Sequence, residues 1–244
     1  MKLISIAAPA YNEEKNIKNC ILDWEKALAM EEVDDYEIII CNDCSNDRTK
    51  EIIEEVAKKN NKVNLVNHFE NKGAAAAVKT AGDNASAKNI IFIDSDGQFP
   101  TESLRRIINQ IKESPNMNIY GFRDVKKDNL PQKIGTKLTS LLYNICNPKL
   151  KLKDASCILK SFTRDNYQRL NLKSSGLNVS TEMACRGAEL QQEYVEVLIE
   201  HRPRVHGESS AAGIKIIKHG LKRIFILLYF TTRKVGNALG LLHF

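Results

Sequence analysis

The run I-I-F-I-D-S-D-G-Q at residues 90–98 decides how the fold of this chain is interpreted. Its four apolar residues predict a buried strand, which ends at two carboxylates separated by one residue. Because successive side chains of an extended segment point to opposite faces, Asp94 and Asp96 share a side. Two acids held this close repel each other unless a cation lies between them, and Mg²⁺ and Mn²⁺ accept such oxygen ligands. Asp, Ser and Gly are also common in turns, so the triplet alone leaves an ordinary strand-end turn open.

The composition is that of a globular protein. The chain has 244 residues, of which 43% are hydrophobic and 27% are charged, enough for the core of one large domain or two small ones. It begins without the pattern of a signal peptide, and no apolar run approaches the ~20 residues of a membrane-spanning helix. We therefore expect a cytoplasmic protein whose six cysteines are free thiols.

The excess positive charge is concentrated near the C-terminal end. The net charge is +6, and residues 201–244 contain eight Lys or Arg against one acid. Residues 211–244 place apolar and basic side chains on different faces of a predicted helix, which is typical of a helix lying at a membrane interface. A helix packed on the rest of the protein or in a dimer interface has the same pattern. The segment is too apolar, and lacks a recognisable motif, for nucleic-acid binding.

Short apolar segments alternate with helical patterns over the first ~110 residues, which predicts βαβ units on a mostly parallel α/β sheet flanked by helices. In such sheets ligands bind outside the carboxyl ends of the strands, and polar residues follow each of the first four predicted strands. Polar turns are common at strand ends, so chance clustering stays open on spacing alone. The predicted strands are 3–8, 36–41, 63–67, 89–93, 117–122, 155–162 and 194–199, and the predicted helices are 13–30, 48–60, 73–87, 101–113, 132–146 and 180–190.

In order, four segments resemble the inverting nucleotide-sugar glycosyltransferases of family 2, which have the GT-A (Rossmann-like) fold. The resemblance is strongest to their dolichol- and polyprenyl-phosphate mannosyl- or glucosyltransferase branch. APAYNEEKNI resembles P-x-Y-N-E, CNDCSNDRT resembles V-D-D-G-S-x-D-x-T, NKGAAAAVKTAG resembles N-x-G-x-x-x-A-x-x-x-G, and DSDGQFP resembles D-x-D-x-Q. Asn42 and Cys44 stand where the second motif has Asp and Gly. The resemblance implies a nucleotide-sugar site formed by Pro9, Tyr11, Glu13, Asp43, Lys72, Asp94, Ser95 and Asp96.

The D-x-D-x-Q segment implies a metal site next to the diphosphate. Asp94, Asp96 and Gln98 are the implied ligands of Mg²⁺ or Mn²⁺, which neutralises charge on the leaving nucleoside diphosphate. At the other end of the nucleotide, Tyr11 can stack on a base and Asp43 can accept a hydrogen bond from a ring N–H. The donor is implied to be GDP- or UDP-linked, with the base left open.

Later segments resemble the family less tightly. YGFRD implies a phosphate contact by Arg123, LPQKIGTKLTS resembles a basic acceptor-side helix, and KDASCILKSF places Asp154, with Ile158 where the family has glycine. HRPRVHGESS resembles the R-x-x-G-x-S loop that closes over the diphosphate. The implied catalytic residues are Asp96, Gln98, Arg123, Asp154 and Arg204, and the implied acceptor-binding residues are Lys133, Thr136 and Ser209.

The implied reaction is transfer of a sugar, with inversion, to a polyprenyl phosphate whose oxygen is already anionic. A sugar-hydroxyl acceptor would instead need a carboxylate base within ~3 Å, for which Asp154 and Glu182 are the candidates. An inactive scaffold is a further alternative, because Asn42, Cys44 and Ile158 depart from the motifs. Nucleotidyl transfer is disfavoured, because residues 9–14 are neither glycine-rich nor basic.

We divide the chain by these roles. Residues 1–112 are predicted to form the nucleotide-sugar-binding half, residues 113–210 the acceptor-binding half, and residues 211–244 a basic amphipathic helical tail. The tail predicts peripheral contact with the cytoplasmic face of a membrane. Association into a homo-oligomer is left open.

Overall fold

The computed structural model describes residues 3–124, 130–148, 150–173 and 179–204. Strands and helices alternate along most of this length, as the sequence pattern predicts. The strands are β1 (Ile4–Ala10), β2 (Tyr36–Asn42), β3 (Val63–Asn67), β4 (Asn89–Phe92), β5 (Asn118–Arg123), β6 (Lys160–Thr163) and β7 (Tyr194–Ile199). The helices are α1 (Ile17–Met30), α2 (Thr49–Lys59), α3 (Ala74–Asp83), α4 (Thr101–Glu113), α5 (Leu130–Cys146), α6 (Arg164–Leu170) and α7 (Val179–Glu189).

Within the described residues, one sheet of seven strands has the order β3-β2-β1-β4-β6-β5-β7. Strand β6 pairs antiparallel with both β4 and β5, and the other neighbouring pairs are parallel. The predicted mostly parallel sheet is therefore confirmed. Because β6 alone runs the opposite way, its amino end lies at the edge where the other strands have their carboxyl ends.

The central strands are apolar because helices cover both faces of the sheet. Ile4, Ile6, Ile38, Ile40 and Ile91 have no exposed surface and lie in one core with the apolar faces of the helices. None of the helices in the described part of the chain is both long and apolar enough to cross a bilayer.

The region around β6 differs from the sequence prediction. The strand predicted over 155–162 begins only at Lys160, because Asp154 Oδ1 accepts from the backbone N–H groups of Ser156 and Cys157 and holds this stretch in a turn. Helix α6 was not predicted. Its first turn is capped by the Thr163 hydroxyl, which accepts from Asn166 N at 3.2 Å.

Helix α1 starts at Ile17 and not at residue 13 as predicted. Residues 13–16 form a separate turn in which the Asn16 side chain donates to Glu13 Oε2 at 2.7 Å. Helix α2 starts at Thr49, one residue after the predicted start, and Asp47 Oδ1 accepts from Thr49 N at 3.0 Å. The predicted boundary at 112/113 falls at the end of α4, and the division into two halves stays a prediction.

Candidate active site at the carboxyl edge of the sheet

An acidic cluster with one arginine lies where β1, β4 and β7 end. Arg204 donates from Nη2 to Asp96 Oδ2 at 2.8 Å, and its Nη1 lies 3.5 Å from Glu13 Oε1. Burial, the nearby Asp96 charge and the Glu13 charge raise the pKa of Asp94 well above its ordinary value of 3.8, while Arg204 opposes them. Burial also raises the pKa of Glu13, against the hydrogen bond from Asn16. The carboxylates of this cluster repel one another, and the positive charge of Arg204 offsets part of that repulsion.

The turn after β4 fixes the two aspartates. Gly97 has a φ of +76°, a left-handed backbone that glycine adopts without strain, and Gln98 N donates to Asp96 Oδ1 at 3.0 Å. The Ser95 side chain is buried and donates to the carbonyl of Pro9 at 2.7 Å. Ser95 thus ties the end of β4 to the end of β1, and its predicted contact with the nucleotide sugar stays a prediction.

The chain beyond β7 is held against this turn by paired hydrogen bonds. Arg202 N donates to the carbonyl of Gln98 at 2.8 Å, and Gln98 Nε2 donates to the carbonyl of Arg202 at 3.1 Å. The Ser103 hydroxyl bonds both the N–H and the carbonyl of Glu200, each at 2.8 Å. These hydrogen bonds hold residues 200–202 next to residues 98–103, and Arg204 therefore lies beside Asp96.

The end of β2 carries a second organised carboxylate. Asp43 is buried, and its Oδ1 accepts from His68 Nδ1 at 2.7 Å and from Lys72 N at 2.9 Å. Its Oδ2 accepts from Gly73 N at 2.8 Å. Asp43 therefore shapes the loop between β3 and α3. The sequence predicts no role for His68, and its position directly after β3 is the signal that could have found it.

Near this carboxylate two residues are open to a ligand. Tyr11 is 44% exposed, as a base-stacking side chain needs to be, and the Lys72 side chain is exposed. Cys44 has a φ of 58°, which explains why the family motif has glycine at this point. Cys44 thus adopts the left-handed conformation that a glycine would adopt at this position of the motif, and the turn is kept.

A third group joins the ends of β5 and β6. Arg123 donates from Nε to Asp154 Oδ2 at 2.7 Å, and its Nη2 reaches Ser156 Oγ at 3.1 Å and Thr136 Oγ1 at 3.3 Å. Burial alone would raise the pKa of Asp154, but the charge and hydrogen bonds of Arg123 outweigh it and lower that pKa below 3.8. The sequence did not single out Ser156 for this cluster.

The remaining predicted residues are placed as follows. Lys133 lies half-buried on α5, three residues before the buried Thr136. Ser209, Gly207 and the predicted tail at 211–244 lie outside the described residues. The structure therefore brings Asp94, Asp96, Gln98, Glu13 and Arg204 together, with Asp43 and Arg123 at the same edge of the sheet.

The donor set fits a hard divalent cation. Asp94 and Asp96 supply carboxylate oxygens whose repulsion a cation relieves, and Gln98 lies beside them. The described residues include no group of three or more His, Cys, Asp or Glu that could hold a metal ion by itself. Such a site would be completed by oxygen atoms from outside this set, as is usual where a substrate phosphate shares the cation.

The fold and the acidic strand end define an α/β protein with its candidate ligand residues at the carboxyl edge of the sheet. Comparison with known proteins gives the family. The profile of glycosyl transferase family 2 matches residues 5–173, and the chain belongs to that family. The predicted family membership is confirmed.

The names of two relatives refer to transfer involving polyprenyl phosphates. The chain is 28% identical over 231 residues to a dolichol-phosphate mannosyltransferase of Pyrococcus furiosus, covering 92% of this chain and 63% of that protein. It is 24% identical over 230 residues to an undecaprenyl-phosphate 4-deoxy-4-formamido-L-arabinose transferase of Aeromonas hydrophila, covering 94% of this chain and 66% of the relative. The chain thus spans a little under two thirds of the length of these relatives.

A solved structure confirms the GT-A fold. The glucosyl-3-phosphoglycerate synthase of Mycobacterium tuberculosis, in complex with Mn²⁺, uridine-diphosphate and glucosyl-3-phosphoglycerate, superposes with a TM-score of 0.73. The match covers 95% of this chain and 80% of that chain at 17% identity. At this identity the likeness concerns the fold alone.

Proposed function

We propose that this chain is a metal-dependent inverting glycosyltransferase that moves a sugar from a nucleoside-diphosphate sugar to a polyprenyl phosphate. The observation that carries the proposal is the contact of Arg204 with Asp96, inside the acidic cluster at the end of β4. Membership in glycosyl transferase family 2 supports the reaction class, and the names of the two relatives support the acceptor class.

The donor would lie along the carboxyl edge of β1, β2 and β4. Tyr11 would stack on the base, Asp43 would accept from its ring N–H, and the Lys72 side chain would contact the nucleotide. Pro9 and Glu13 would line the ribose, as the family resemblance implies. A mycobacterial protein of the same fold is a complex with Mn²⁺ and uridine-diphosphate, which supports a nucleoside diphosphate and a divalent metal as the ligands.

Asp94, Asp96 and Gln98 would hold Mg²⁺ or Mn²⁺. When bound, the cation supplies positive charge to the departing diphosphate. The chain's own part is to hold the two carboxylates at one strand end and to bring Arg204 to the same place. A guanidinium is suited to a bidentate contact with phosphate, so Arg204 would exchange Asp96 for a phosphate oxygen when the donor binds.

The acceptor would be positioned by positive charge, without a general base. Both candidate bases are already engaged: Asp154 is paired with Arg123 and has a lowered pKa, which makes it a weak base. Glu182 is buried and accepts from Lys173 N at 2.9 Å. A phosphate acceptor needs no proton removed, so these contacts favour it over a sugar hydroxyl. Arg123, with Lys133, Thr136 and Ser209, would bind the acceptor phosphate.

The membrane contact of residues 211–244 and a location at the cytoplasmic face stay predictions of the sequence. The names of the two relatives refer to dolichol phosphate and undecaprenyl phosphate, which are lipids, and this supports a membrane-associated reaction.

A thermal-shift panel tests the donor site. UDP, GDP, CDP and dTDP are each added with Mn²⁺ or Mg²⁺ to the wild-type chain, to Asp96→Asn and to Glu113→Gln, an exposed acid at the end of α4. A ligand at ~100 times its Kd stabilises by about 2.7 kcal/mol, a shift of a few degrees for a domain of this size. We expect a metal-dependent shift that Asp96→Asn loses and Glu113→Gln keeps. Absence of a shift with every nucleotide would favour the scaffold.

Transfer assays test the acceptor. With the donor identified, radiolabelled sugar is offered with a polyprenyl phosphate or with an oligosaccharide. Label in the lipid phosphate supports the proposal, and label only in the oligosaccharide overturns its acceptor class.

A further inference from the structure

The hydrogen bonds of Asp43 limit what a ligand can offer it. A carboxylate has two oxygens with about four lone-pair sites, and all of them are acceptors. Asp43 Oδ1 accepts from His68 Nδ1 at 2.7 Å and from Lys72 N at 2.9 Å, so both of its sites are occupied. Oδ2 accepts from Gly73 N at 2.8 Å. Counted over the part of the chain that the structure describes, one acceptor site remains on this carboxylate, and it is on Oδ2.

The fold holds the donors that occupy the other sites. His68 N donates to the Asn42 carbonyl at 3.0 Å, and His68 Nε2 lies 2.9 Å from Thr80 Oγ1, so the imidazole is fixed at both ends. The two backbone donors directly precede α3. The Asp43 side chain is only 3% exposed, and turning it to face a ligand with both oxygens would break these hydrogen bonds. Asp43 can therefore offer a ligand one oxygen and not two.

Nucleobases differ in the groups that they present to a carboxylate. Uracil and thymine have one ring N–H, at N3, between two carbonyl groups. Guanine has a ring N–H at N1 beside its N2 amino group, and these two parallel donors match both oxygens of one carboxylate. Cytosine and adenine have a ring nitrogen with a lone pair at the corresponding place, which a carboxylate repels. The number of donors thus separates guanine from the two pyrimidines that carry an N3–H.

We propose that the donor of this chain carries a pyrimidine with an N3–H, which is uracil or thymine, and not guanine. The single open site on Asp43 Oδ2 matches the single ring N–H of these bases. Guanine would direct its N2 amino group at Oδ1, where His68 and Lys72 already occupy both sites, and this donor would be left without an acceptor. The inference rests on the proposed function, in which Asp43 accepts from the base.

The surroundings of the open site also suit a ring with two carbonyl groups. Lys72 is exposed, and its ammonium group has no hydrogen-bond or ion-pair partner among the described residues. Because Lys72 N itself binds Asp43, this ammonium group is available to a carbonyl oxygen next to the N3–H. Uracil and thymine have such an oxygen on either side of N3, whereas guanine has one beside N1.

Nucleotide analogues test the inference on the unchanged, full chain. UDP, dTDP, GDP and IDP are titrated calorimetrically in the presence of Mn²⁺, together with 3-methyl-UDP, in which N3 carries no hydrogen. IDP differs from GDP only by lacking the N2 amino group. Pyrophosphate with Mn²⁺ measures the binding of a diphosphate without a base.

We expect UDP or dTDP to bind at least about ten-fold more tightly than GDP, and UDP about ten-fold more tightly than 3-methyl-UDP. IDP should bind at least as tightly as GDP, because it lacks the donor that finds no acceptor. The opposite order, with GDP tighter than IDP and than both pyrimidine nucleotides, would overturn the inference, since it would mean that Asp43 binds both donors of guanine. The comparison of UDP with dTDP tells which of the two pyrimidines is preferred.

A matched pair of variants assigns the discrimination to the carboxylate. The ratio of the Kd of 3-methyl-UDP to that of UDP should fall towards one in Asp43→Asn and stay within about two-fold of the wild-type ratio in Glu113→Gln. An unchanged ratio in Asp43→Asn would also overturn the inference, and the analogue series on the wild-type chain decides it if that variant fails to fold. Binding of neither pyrophosphate nor any nucleotide would overturn the transferase assignment and the inference with it, whereas a preference for GDP would overturn the inference alone.

Discussion

Arg204 donates a 2.8 Å hydrogen bond to Asp96 from a position 108 residues further along the chain. Although burial works against its charge, the hydrogen bond with Asp96 and the charges of Asp96 and Glu13 raise the pKa of Arg204 above its ordinary value. The contact joins the turn after β4 to the segment after β7. It makes the acidic cluster dependent on a residue that short-range sequence patterns do not connect to it.

Replacing Arg204 should reduce turnover more than stability. Arg204→Gln removes the charge offered to the diphosphate, and we expect kcat to fall about 10²-fold. Arg204→Lys keeps the charge and loses the planar guanidinium, so its kcat should lie between those of the wild type and Arg204→Gln. Arg48→Gln, at a side chain that is 72% exposed, is the control and should keep wild-type kcat. Equal kcat in Arg204→Gln and wild type would remove Arg204 from the catalytic residues.

Replacing Arg123 should destabilise the fold, because it leaves the buried Asp154 carboxylate without its main cationic partner and with only the weaker charge interaction of Lys160. We expect Arg123→Gln to lower the free energy of unfolding by about 3 kcal/mol at neutral pH. Chemical denaturation measures it. A second substitution, Asp154→Asn, removes the orphaned charge and should restore part of the loss, whereas strict additivity of the two substitutions would mean that the pair is not coupled.

The same pair predicts a pH dependence. A carboxyl group with a lowered folded pKa contributes stability above its unfolded pKa, and that contribution is lost as the pH falls through the folded value. Asp154 has a pKa below 3.8 in the folded chain, so the wild-type contribution is complete above that pH and disappears below it. In Arg123→Gln burial should raise the pKa of Asp154 above 3.8, so the difference in unfolding free energy between wild type and variant should begin to shrink above pH 3.8 as the pH falls, and should be lost below it. A difference that stays constant with pH would assign the loss to packing.

His68 should affect donor binding through Asp43. His68→Gln removes the 2.7 Å contact that orients the Asp43 carboxylate, and we expect the KM for the donor to rise about ten-fold with kcat within two-fold. Thr80→Val removes one of the two contacts of His68 Nε2 and leaves the other, with Cys41 Sγ at 3.4 Å, so its effect should be smaller. A fall in kcat with unchanged KM would place His68 in the chemical step.

Thiol labelling should report occupancy of the nucleotide site. Cys20 and Cys41 are buried, and burial raises the pKa of each to about 12, so they should resist alkylation in the folded chain. Cys44 and Cys146 are partly exposed and should react first. Mass spectrometry with and without the nucleotide and Mn²⁺ should show protection of Cys44, next to Asp43, and none of Cys146 on α5. Equal labelling of Cys44 in both conditions would argue against a nucleotide at this loop.

The strand pattern was accessible from sequence because it depends on local chemistry. Strands β3 and β7 and helix α4 begin and end where the periodicity predicts, and the edge of the sheet that carries Asp43, Asp94 and Asp96 follows from parallel strand order. The predicted boundaries were wrong where a side chain accepts a hydrogen bond from a backbone N–H a few residues further along the chain. Asp154 turns the chain before β6, and Thr163 starts α6; each competes with the regular pattern over a few residues only.

By itself, the sequence determined the α/β class, the family and the acidic strand end, because apolar periodicity and the D-x-D spacing are local properties. The tertiary structure decided which charges meet. The pairs Arg204–Asp96, Arg123–Asp154 and His68–Asp43 depend on sheet order, above all on β6 running against its neighbours and bringing Asp154 to the same edge as Arg123. It also decided which face of α5 is outside, because the hydroxyls of that helix found partners in the interior and left its leucines to the surface.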